Sequence, residues 1–292
     1  MQIAKTAWQS ARKLLGPRVL TQVRRYREGT VPGLRVYRSQ LEGKRGLEIG
    51  GPSGILSDEG PLPVYKVLAS LDNCLYSTET LWTERVRHGG AFKYHPQRPA
   101  GNQIICEASD LAPVEDSSYE CLLASHCLEH VANPLKALAE WRRVLKEDGI
   151  LLMLLPHRDG TFDWRRTPTT LAHMIADQAN QVGEDDLTHL PEILDLHDLE
   201  KDIKAGTKEQ FRLRCMENYS NRAMHHHVFD TGTALAVTDY AGFRILGVDN
   251  FSPYHIIILA SRSNERPDNS QIMGKGAAHW RRSPFPSDRA CI

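Results

Sequence analysis

Short apolar runs alternate with helical patterns along most of the chain. Several of these runs are apolar at every position, as expected of strands that are buried on both faces of a sheet. The predicted strands lie at residues 45–49, 67–71, 103–108, 120–125, 150–155, 243–248 and 255–261. Such strands, separated by helices, predict an α/β fold with a mostly parallel seven-stranded sheet and helices on both faces.

The most clearly marked helix lies between the fourth and fifth predicted strands. Asn133 is a candidate N-cap, and Pro134 stands at the first helical position, where its missing N–H costs nothing. Apolar residues then recur at helical spacing up to Asp148 and Gly149. Glycine readily takes the left-handed conformation that ends a helix, so we predict that the helix stops there.

The chain divides into three parts, and the second of them contains an insertion. Residues 1–44 predict an N-terminal helical segment, and residues 45–262 contain the predicted sheet. Residues 157–225 are polar, rich in histidine and aspartate, and mostly helical in pattern. This insertion follows the fifth strand, so we expect a lid over the carboxyl ends of the strands, where such sheets bind ligands. Residues 263–292 show no periodicity and predict a flexible tail.

Composition narrows the class of protein. The chain has 36 basic and 36 acidic residues, so its net charge favours no attraction to nucleic acid. No run approaches the roughly 20 apolar residues of a membrane span, so we expect no stable membrane insertion. The six cysteines contain no CxxC pair, which argues against a zinc ribbon and is typical of the reducing cytoplasm.

The loop that follows the first predicted strand suits a ligand. Gly50, Gly51 and Gly54 permit a tight turn and close approach of a bound molecule. Glu48 stands two residues before the first glycine, and its carboxylate favours a ligand with amino or hydroxyl groups over a polyphosphate. The chain has no Gly-Lys-Ser/Thr here, which excludes a P-loop. The alternative is a glycine-rich turn without a ligand.

Asp72 provides a second signal. It lies at the predicted end of the second strand, and the difference in numbering from Gly50 is 72 − 50 = 22 residues. Nucleoside-binding α/β folds place an acidic residue about 20 residues after the first glycine, where it holds the ribose hydroxyls. The alternative is a turn residue, because Asp-Asn favours turns.

Three further blocks complete a familiar order. They read Glu-Ala-Ser-Asp-Leu-Ala-Pro at 107–113, Ser-His-Cys-Leu-Glu-His-Val at 125–131 and Leu-Lys-Glu-Asp-Gly at 145–149. Together with the glycine loop, these blocks resemble the type 11 methyltransferase domain over about residues 45–158. The resemblance implies a Rossmann-like class I methyltransferase fold, S-adenosylmethionine (SAM) as cofactor, and methyltransferase activity.

The resemblance also implies roles for single residues. It assigns the methionine part of SAM to the glycine loop, the ribose to an acidic residue, the adenine to the turn after the third strand, and the sulfonium to the end of the fourth strand. The predicted cofactor-binding residues are, in that order, Glu48, Gly50, Gly51 and Gly54, then Asp72, then Ala108, Ser109, Asp110 and Leu111, then Ser125 and His126.

One position departs from the family pattern. Pro52 replaces the middle glycine of the loop, and we expect the Gly50–Gly51 pair to compensate for it. Pro61 and Pro63 lie where the first helix of the family normally runs. The substituted loop keeps open a second function, that of a catalytically silent SAM-fold binding protein.

Histidines are the candidate catalytic groups. Methyl transfer to a hydroxyl benefits from a general base, and histidine is the usual base near neutral pH. We predict His157 and His126, since His157 follows a proline at the end of the fifth strand. His130, Asp159 and the histidines at 225–227 are further candidates, each with a structural role as the alternative. The predicted function is O-methylation of a small-molecule or glycan hydroxyl, with N- and C-methylation open.

A metal site is the alternative use of these histidines. His225 and His227 would share a face of an extended segment, and His189 and Glu192 would share a face of a helix. A divalent metal ion can bind an acceptor diol and lower its pKa. The simpler interpretation is that these side chains cap helices in a polar lid, so the prediction assigns no metal ligand.

The histidine- and aspartate-rich segment also suggests a different class of enzyme. A metal-dependent phosphohydrolase would use His197 and Asp198, with His173 and His189 as further ligands. This hypothesis leaves the four cofactor blocks unexplained, so methyl transfer remains the favoured prediction.

Overall fold

The computed structural model describes residues 29–83 and 85–290. Most of the predicted N-terminal helical segment therefore lies outside the described residues. Its described part contains helix α1 (Leu34–Leu41). None of the described helices is both long and apolar enough to cross a membrane.

A single sheet organises the described residues, with strands in the order β3-β4-β2-β1-β5-β6-β8-β7. The pairs from β4 to β6 are parallel, whereas β3 and β8 run antiparallel to their neighbours. The strands are β1 (Arg45–Ile49), β2 (Ser70–Leu75), β3 (Ala91–Phe92), β4 (Gly101–Ile105), β5 (Tyr119–Ser125), β6 (Leu145–Pro156), β7 (Phe243–Phe251) and β8 (His255–Arg262). The predicted Rossmann-like, mostly parallel sheet is confirmed, and the two-residue edge strand β3 adds an eighth strand.

Apart from α1, which precedes β1, the described helices fall into three groups. One helix, α2, connects β5 to β6, four lie in the inserted segment, and four follow that segment. After α1 they are α2 (Pro134–Val144), α3 (Leu171–Ala179), α4 (Leu190–Leu196), α5 (Lys208–Met216), α6 (Asn218–Asn221), α7 (Thr231–Tyr240), α8 (Ser270–Met273), α9 (Ala278–Arg282) and α10 (Pro286–Ala290).

The start of α2 is as predicted. The side chain of Asn133 accepts a hydrogen bond from the backbone N–H of Lys136 at 3.0 Å, which satisfies one of the free donors of the first turn. The helix ends at Val144, earlier than predicted, because β6 already begins at Leu145.

Alternate side chains of β6 divide the core into two layers. Leu151 and Met153 lie in an apolar cluster with Trp141 of α2. Leu152 lies on the opposite face, in a cluster with Tyr37 of α1. Because successive strand residues point to opposite faces, the fully apolar sequence of β6 lets both faces of the sheet be covered.

The connection between β1 and β2 differs from the α-helix that usually joins neighbouring parallel strands. The described residues 50–69 form two short 3₁₀ turns, Gly54–Leu56 and Tyr65–Val67, in place of an α-helix. Pro61 and Pro63 have no backbone N–H to donate and disfavour a continuous helix. The second turn also occupies part of the predicted strand 67–71, so β2 starts three residues later than predicted.

The prediction of a flexible tail at 263–292 is wrong for the described residues up to 290. Trp280 and Phe285 are buried, and Phe285 stacks on the His157 ring with the centroids 3.9 Å apart. The segment shows no clear period because its three helices are short. Burial of these two aromatic side chains holds it against the sheet.

The order of strands fixes the position of the site. β1 pairs with β2 on one side and with β5 on the other, so the chain changes direction across the sheet at β1. In open α/β sheets, the connections on the two sides of such a point leave a crevice at the carboxyl ends of the strands.

Candidate active site

A cavity of about 990 Å³ opens at this crevice. Ligand pockets in proteins usually measure about 300–1,000 Å³, so the cavity has room for a large cofactor together with an acceptor. Its walls are the loop after β1, the ends of β2, β4 and β5, and several residues of the inserted segment.

Two glycines keep the cofactor end of the cavity open. Gly50 has a φ of +81°, which favours glycine, and it lines the cavity together with Gly54. A Cβ at Gly54 would meet no atom within 4 Å, so the backbone there faces open space. Gly51 does not line the cavity. A Cβ at this position would lie 2.3 Å from the Glu48 carboxyl group, so Gly51 makes room for that side chain.

Glu48 lies behind the glycine loop. Its side chain is fully buried and accepts hydrogen bonds from the Tyr65 hydroxyl at 2.7 Å and the Ser53 hydroxyl at 2.8 Å. Burial raises the pKa of Glu48 to about 7, although both hydrogen bonds act in the opposite direction. The carboxyl group does not line the cavity, so the prediction of direct cofactor contact is corrected. Glu48 supports the loop from within the fold.

The prediction for Asp72 is wrong in its position. Asp72 lies inside β2, opposite Leu47, and does not reach the cavity. Its carboxylate accepts hydrogen bonds from the Tyr119 hydroxyl at 2.8 Å and from the backbone N–H of Asn102 at 2.7 Å. The late start of β2 causes this shift, because the strand therefore ends beyond Asp72. The residue that follows the strand and lines the cavity is Tyr76.

The predicted adenine turn reaches the cavity only at its start. Ala108 and its neighbour Glu107 line the cavity. Leu111 is fully buried in the core, Ser109 is buried away from the cavity, and Asp110 is exposed. The last three residues shape the turn, so their prediction as cofactor contacts is corrected.

Ser125 and His126 line the cavity at the carboxyl end of β5. His126 has a φ of 53°, which is unusual for a residue other than glycine and orients its ring. Its Nε2 lies 2.8 Å from Nδ1 of His255, at the start of β8. Its Nδ1 lies 3.6 Å from a carboxylate oxygen of Glu129. The structure therefore places His126 between two polar groups and in contact with the cavity.

His157 has a structural role, contrary to the prediction that it acts in catalysis. The side chain is fully buried, and Nδ1 accepts a hydrogen bond from the backbone N–H of Asp159 at 3.1 Å. Nε2 lies 3.2 Å from the Asp288 carboxylate. The residue does not line the cavity, because the C-terminal segment covers it.

A second group of polar side chains meets the cavity beyond His126. Glu129 and His130 come from the 3₁₀ turn after β5. His225 comes from the loop between α6 and α7. The His130 and His225 rings lie edge to face, 4.6 Å apart. Burial, together with the charge of His225, lowers the pKa of His130 to about 4, so His130 is neutral near pH 7.

The inserted segment also supplies an ion pair near the cofactor end. Arg222 has a φ of 51°, and its guanidinium lies 2.5 Å from Glu107 and 3.7 Å from Glu184. Its guanidinium also lies over the Tyr76 ring at 5.1 Å. Sequence reasoning missed Arg222 and Glu184, because no periodic pattern shows which lid residues fold back onto the sheet.

The structure regroups the histidines that were considered as metal ligands. His225 faces the cavity, whereas His227 lies in a separate group with His173 and His189. Among the described residues, His197 belongs to neither of the groups that could hold a metal ion. The arrangement required by the phosphohydrolase hypothesis is therefore absent from this part of the chain.

Comparisons with known proteins identify the class. Residues 81–153 match the family model of a methyltransferase domain. These 73 residues, about a quarter of the chain, are similar to a methyltransferase domain. The match includes β5, the turn with Glu129 and helix α2, and it supports the predicted SAM-dependent methyltransferase with SAM as its cofactor.

One curated relative matches a short part of the chain. It is the uncharacterized 37.1 kDa protein in transposon TN4556 of Streptomyces fradiae, which is 47% identical over 53 residues. The match covers 18% of this chain and 15% of that protein.

Three solved structures of SAM-dependent methyltransferases share part of this fold. The protein from Mesorhizobium loti is 14% identical, with coverage of 79% of this chain and 96% of that chain and a TM-score of 0.45. The protein from Aquifex aeolicus is 12% identical, with coverage of 87% and 97% and a TM-score of 0.40. The protein from Methanosarcina mazei is 15% identical, with coverage of 79% and 98% and a TM-score of 0.42.

Proposed function

We propose that the protein methylates a hydroxyl group of a small molecule or a glycan. The observation that carries this proposal is the His126–His255 pair, which presents an imidazole to the cavity at the end of β5. A hydroxyl loses a proton when its oxygen is methylated, and an imidazole is suited to accept that proton near neutral pH.

The open backbone at Gly50 and Gly54 fits the methionine part of the cofactor. Tyr76 and Glu107 line the neighbouring part of the cavity, where they would contact the adenosine part. Glu107 takes the place proposed for Asp72, because its carboxylate is able to accept hydrogen bonds from the ribose hydroxyls. When bound, SAM supplies a methyl group on a positively charged sulfur, and the carbon–sulfur bond breaks as the acceptor oxygen bonds to that carbon.

The acceptor would occupy the part of the cavity lined by His126 and aromatic side chains. Trp82, Phe162 and Tyr254 line this part, and apolar ring faces suit the C–H faces of a sugar or an aromatic ring. The walls of the cavity would hold the acceptor oxygen in line with the methyl group. His126 then accepts the hydroxyl proton, and His255 fixes the orientation of its ring.

A SAM-consumption screen tests this function. Purified protein is incubated with SAM and sets of sugars, phenols and amines, and S-adenosylhomocysteine and the methylated product are quantified. Turnover with sugars or phenols supports the proposal if mass spectrometry and NMR locate the new methyl group on an oxygen atom. Turnover with amines alone overturns O-methylation. Tight SAM binding without turnover in any set would favour a silent SAM-fold binding protein.

A further inference from the structure

The Glu129 side chain has a buried carboxylate oxygen to which the proposed function assigns no role. It is only 1% exposed, and its Oε2 atom is buried without a hydrogen-bond partner among the described residues. A buried, unpaired carboxylate oxygen is costly, because water has been removed from it without replacement. Glu129 lines the cavity, so the unpaired oxygen lies beside the space that ligands would occupy.

Two histidines converge on the same place. The ligand atoms of Glu129, His130 and His225 all lie within 4.8 Å of one another. A divalent ion about 2.0–2.2 Å from each ligand would bring those atoms to about 3–3.5 Å apart. The present separation therefore exceeds that of a closed site by little more than about 1 Å.

The outer nitrogen of each ring is already held. Nδ1 of His130 lies 3.0 Å from the backbone carbonyl of Met224, and Nδ1 of His225 lies 2.5 Å from the Asp163 carboxylate. Both contacts place a ring proton on Nδ1. Nε2 of the neutral His130 ring is available, and Nε2 of His225 would release its proton when a metal ion binds there. Metal-binding histidines in proteins are commonly oriented in this way by a carbonyl or a carboxylate.

Asp163 is itself fixed in place. Its other carboxylate oxygen accepts a hydrogen bond from the buried Arg166 guanidinium at 3.1 Å. The partners of His225 therefore form a rigid, buried support behind a side chain that faces the cavity. Such a support is more than a helix cap or a polar lid surface requires.

We propose that Glu129, His130 and His225 bind a divalent transition-metal ion, which holds two neighbouring hydroxyl groups of the methyl acceptor. Two imidazoles and one carboxylate form a ligand set suited to such ions, and three protein ligands leave coordination positions open. Two adjacent oxygens fill open positions at the usual bond lengths. The inference rests on the proposed O-methyltransferase function and narrows its acceptor to a neighbouring diol.

The metal ion adds to the chemistry of that site. A hydroxyl bound to a divalent ion has a lowered pKa, because the ion stabilises the alkoxide. The proton leaves to His126, whose Nδ1 lies 3.6 Å from Glu129, and the methylated oxygen then leaves the metal ion. The ion keeps its charge throughout, so the step needs no oxidant or reductant.

The group of His173, His189 and His227 serves as an internal comparison. Its ligand atoms also lie within 4.8 Å of one another, but none of the three residues lines the cavity. A variant in this group alters a comparable histidine cluster and leaves Glu129 and His225 unchanged.

Titration of metal-free protein with Co²⁺, followed by visible absorption and calorimetry, tests the proposal. We expect the unsubstituted protein to bind one equivalent of Co²⁺. This binding should be lost in E129Q and in H225Q, and retained in H189Q. In D163N the affinity of this equivalent should fall about 10–100-fold, as for other supporting residues of metal ligands. Catechol, a simple neighbouring diol, should change the Co²⁺ spectrum, whereas phenol should not.

The outcomes separate the two proposals. Co²⁺ binding that is unchanged in both E129Q and H225Q, or a spectrum indifferent to catechol, overturns the metal–diol site. SAM binding measured on the same samples reports the cofactor site and shows that each variant is folded. Loss of the Co²⁺ equivalent with SAM binding intact supports the metal site. Absence of SAM binding in the unsubstituted protein contradicts the methyltransferase proposal and leaves the Co²⁺ result to stand by itself.

Discussion

Nε2 of His126 lies 2.8 Å from Nδ1 of His255, between the carboxyl end of β5 and the amino end of β8. The two strands are separated in the sheet by β6, so the pair spans the floor of the cavity. One ring nitrogen of the pair must donate and the other accept, which fixes the tautomers relative to each other.

This pair predicts the effect of H126N. Loss of a general base typically lowers the rate by about 10²–10⁴-fold, so kcat should fall by at least about 100-fold. The affinity for SAM should stay within about twofold, because the glycine loop is unchanged. H255N, which acts through His126, should lower kcat less. Steady-state kinetics and calorimetry measure both effects, and an unchanged kcat in H126N would remove His126 from catalysis.

The open backbone at Gly54 predicts that a side chain there blocks the cofactor. In G54L the new side chain projects into the cavity, since nothing lies within 4 Å of a Cβ at this position. SAM affinity should fall by more than about 100-fold, with little change in melting temperature. The matched control is G276L, at an exposed glycine that also has nothing within 4 Å. Equal SAM affinity in both variants would contradict the assignment of the loop.

Because Asp72 lies inside β2, its substitution should change the stability of the protein without changing its affinity for SAM. D72N weakens the hydrogen bonds to Tyr119 and Asn102 but changes no residue that lines the cavity. The melting temperature should fall, whereas SAM affinity of the folded protein should change by less than about threefold. E107Q should lower SAM affinity, because Glu107 lines the cavity, and it should also lower the melting temperature, because it weakens the ion pair with Arg222. Calorimetry of the two variants decides which carboxylate serves the ribose.

The raised pKa of Glu48 predicts a pH-dependent stability. The folded protein holds a proton on Glu48 up to a pKa of about 7, against 4.5 for the ordinary group. Its contribution is therefore most favourable below pH 4.5, is lost as the pH rises from about 4.5 to 7, and stays lost above that range. The shift corresponds to about 3 kcal/mol.

E48Q keeps the shape of the side chain and removes this titration. The melting temperature of E48Q relative to the unsubstituted protein should rise between pH 5 and pH 8. Unfolding followed by circular dichroism at both pH values measures the difference. A difference that does not change with pH would show that Glu48 does not titrate in this range.

The buried hydrogen bonds of Asp288 predict that its substitution destabilises the protein at a place far from the cavity. Its carboxylate accepts hydrogen bonds from the hydroxyls of Thr231 at 2.7 Å and Ser283 at 2.6 Å, and it also contacts His157. D288A leaves these buried partners unpaired and should lower the free energy of unfolding by about 3 kcal/mol. The exposed Asp268 provides the control, and D268A should leave the free energy of unfolding, measured with urea, close to that of the unsubstituted protein.

The sequence predicted those parts of the site that lie within one strand and its following loop. Gly50, Gly54 and His126 are in the cavity because each follows a clearly apolar strand, so the fold dictates where they emerge. Asp72 was misplaced because the 3₁₀ turn at Tyr65–Val67 has the composition of a strand. An error of three residues moves a side chain from the end of a strand to its interior.

Contacts between distant segments were not predictable in this way. His225 reaches Glu129 across 96 residues of sequence, since 225 − 129 = 96, and hydrophobic periodicity gives no information about such pairs. His157 was interpreted as catalytic because its local position, after a strand-end proline, is the one expected for an active-site residue. Its burial depends on Phe285 and Asp288, which lie in a segment without a visible period.

The contact between His157 and Asp288 bears on where this protein may be divided. The family match ends at residue 153, within β6, yet the residue four positions further on is held by a carboxylate at 288. A fragment cut to the limits of the match would lose β7, β8 and the cover over His157, and would expose apolar faces of β6 to water. The segments that cover both faces of β6 therefore extend well beyond the matched residues.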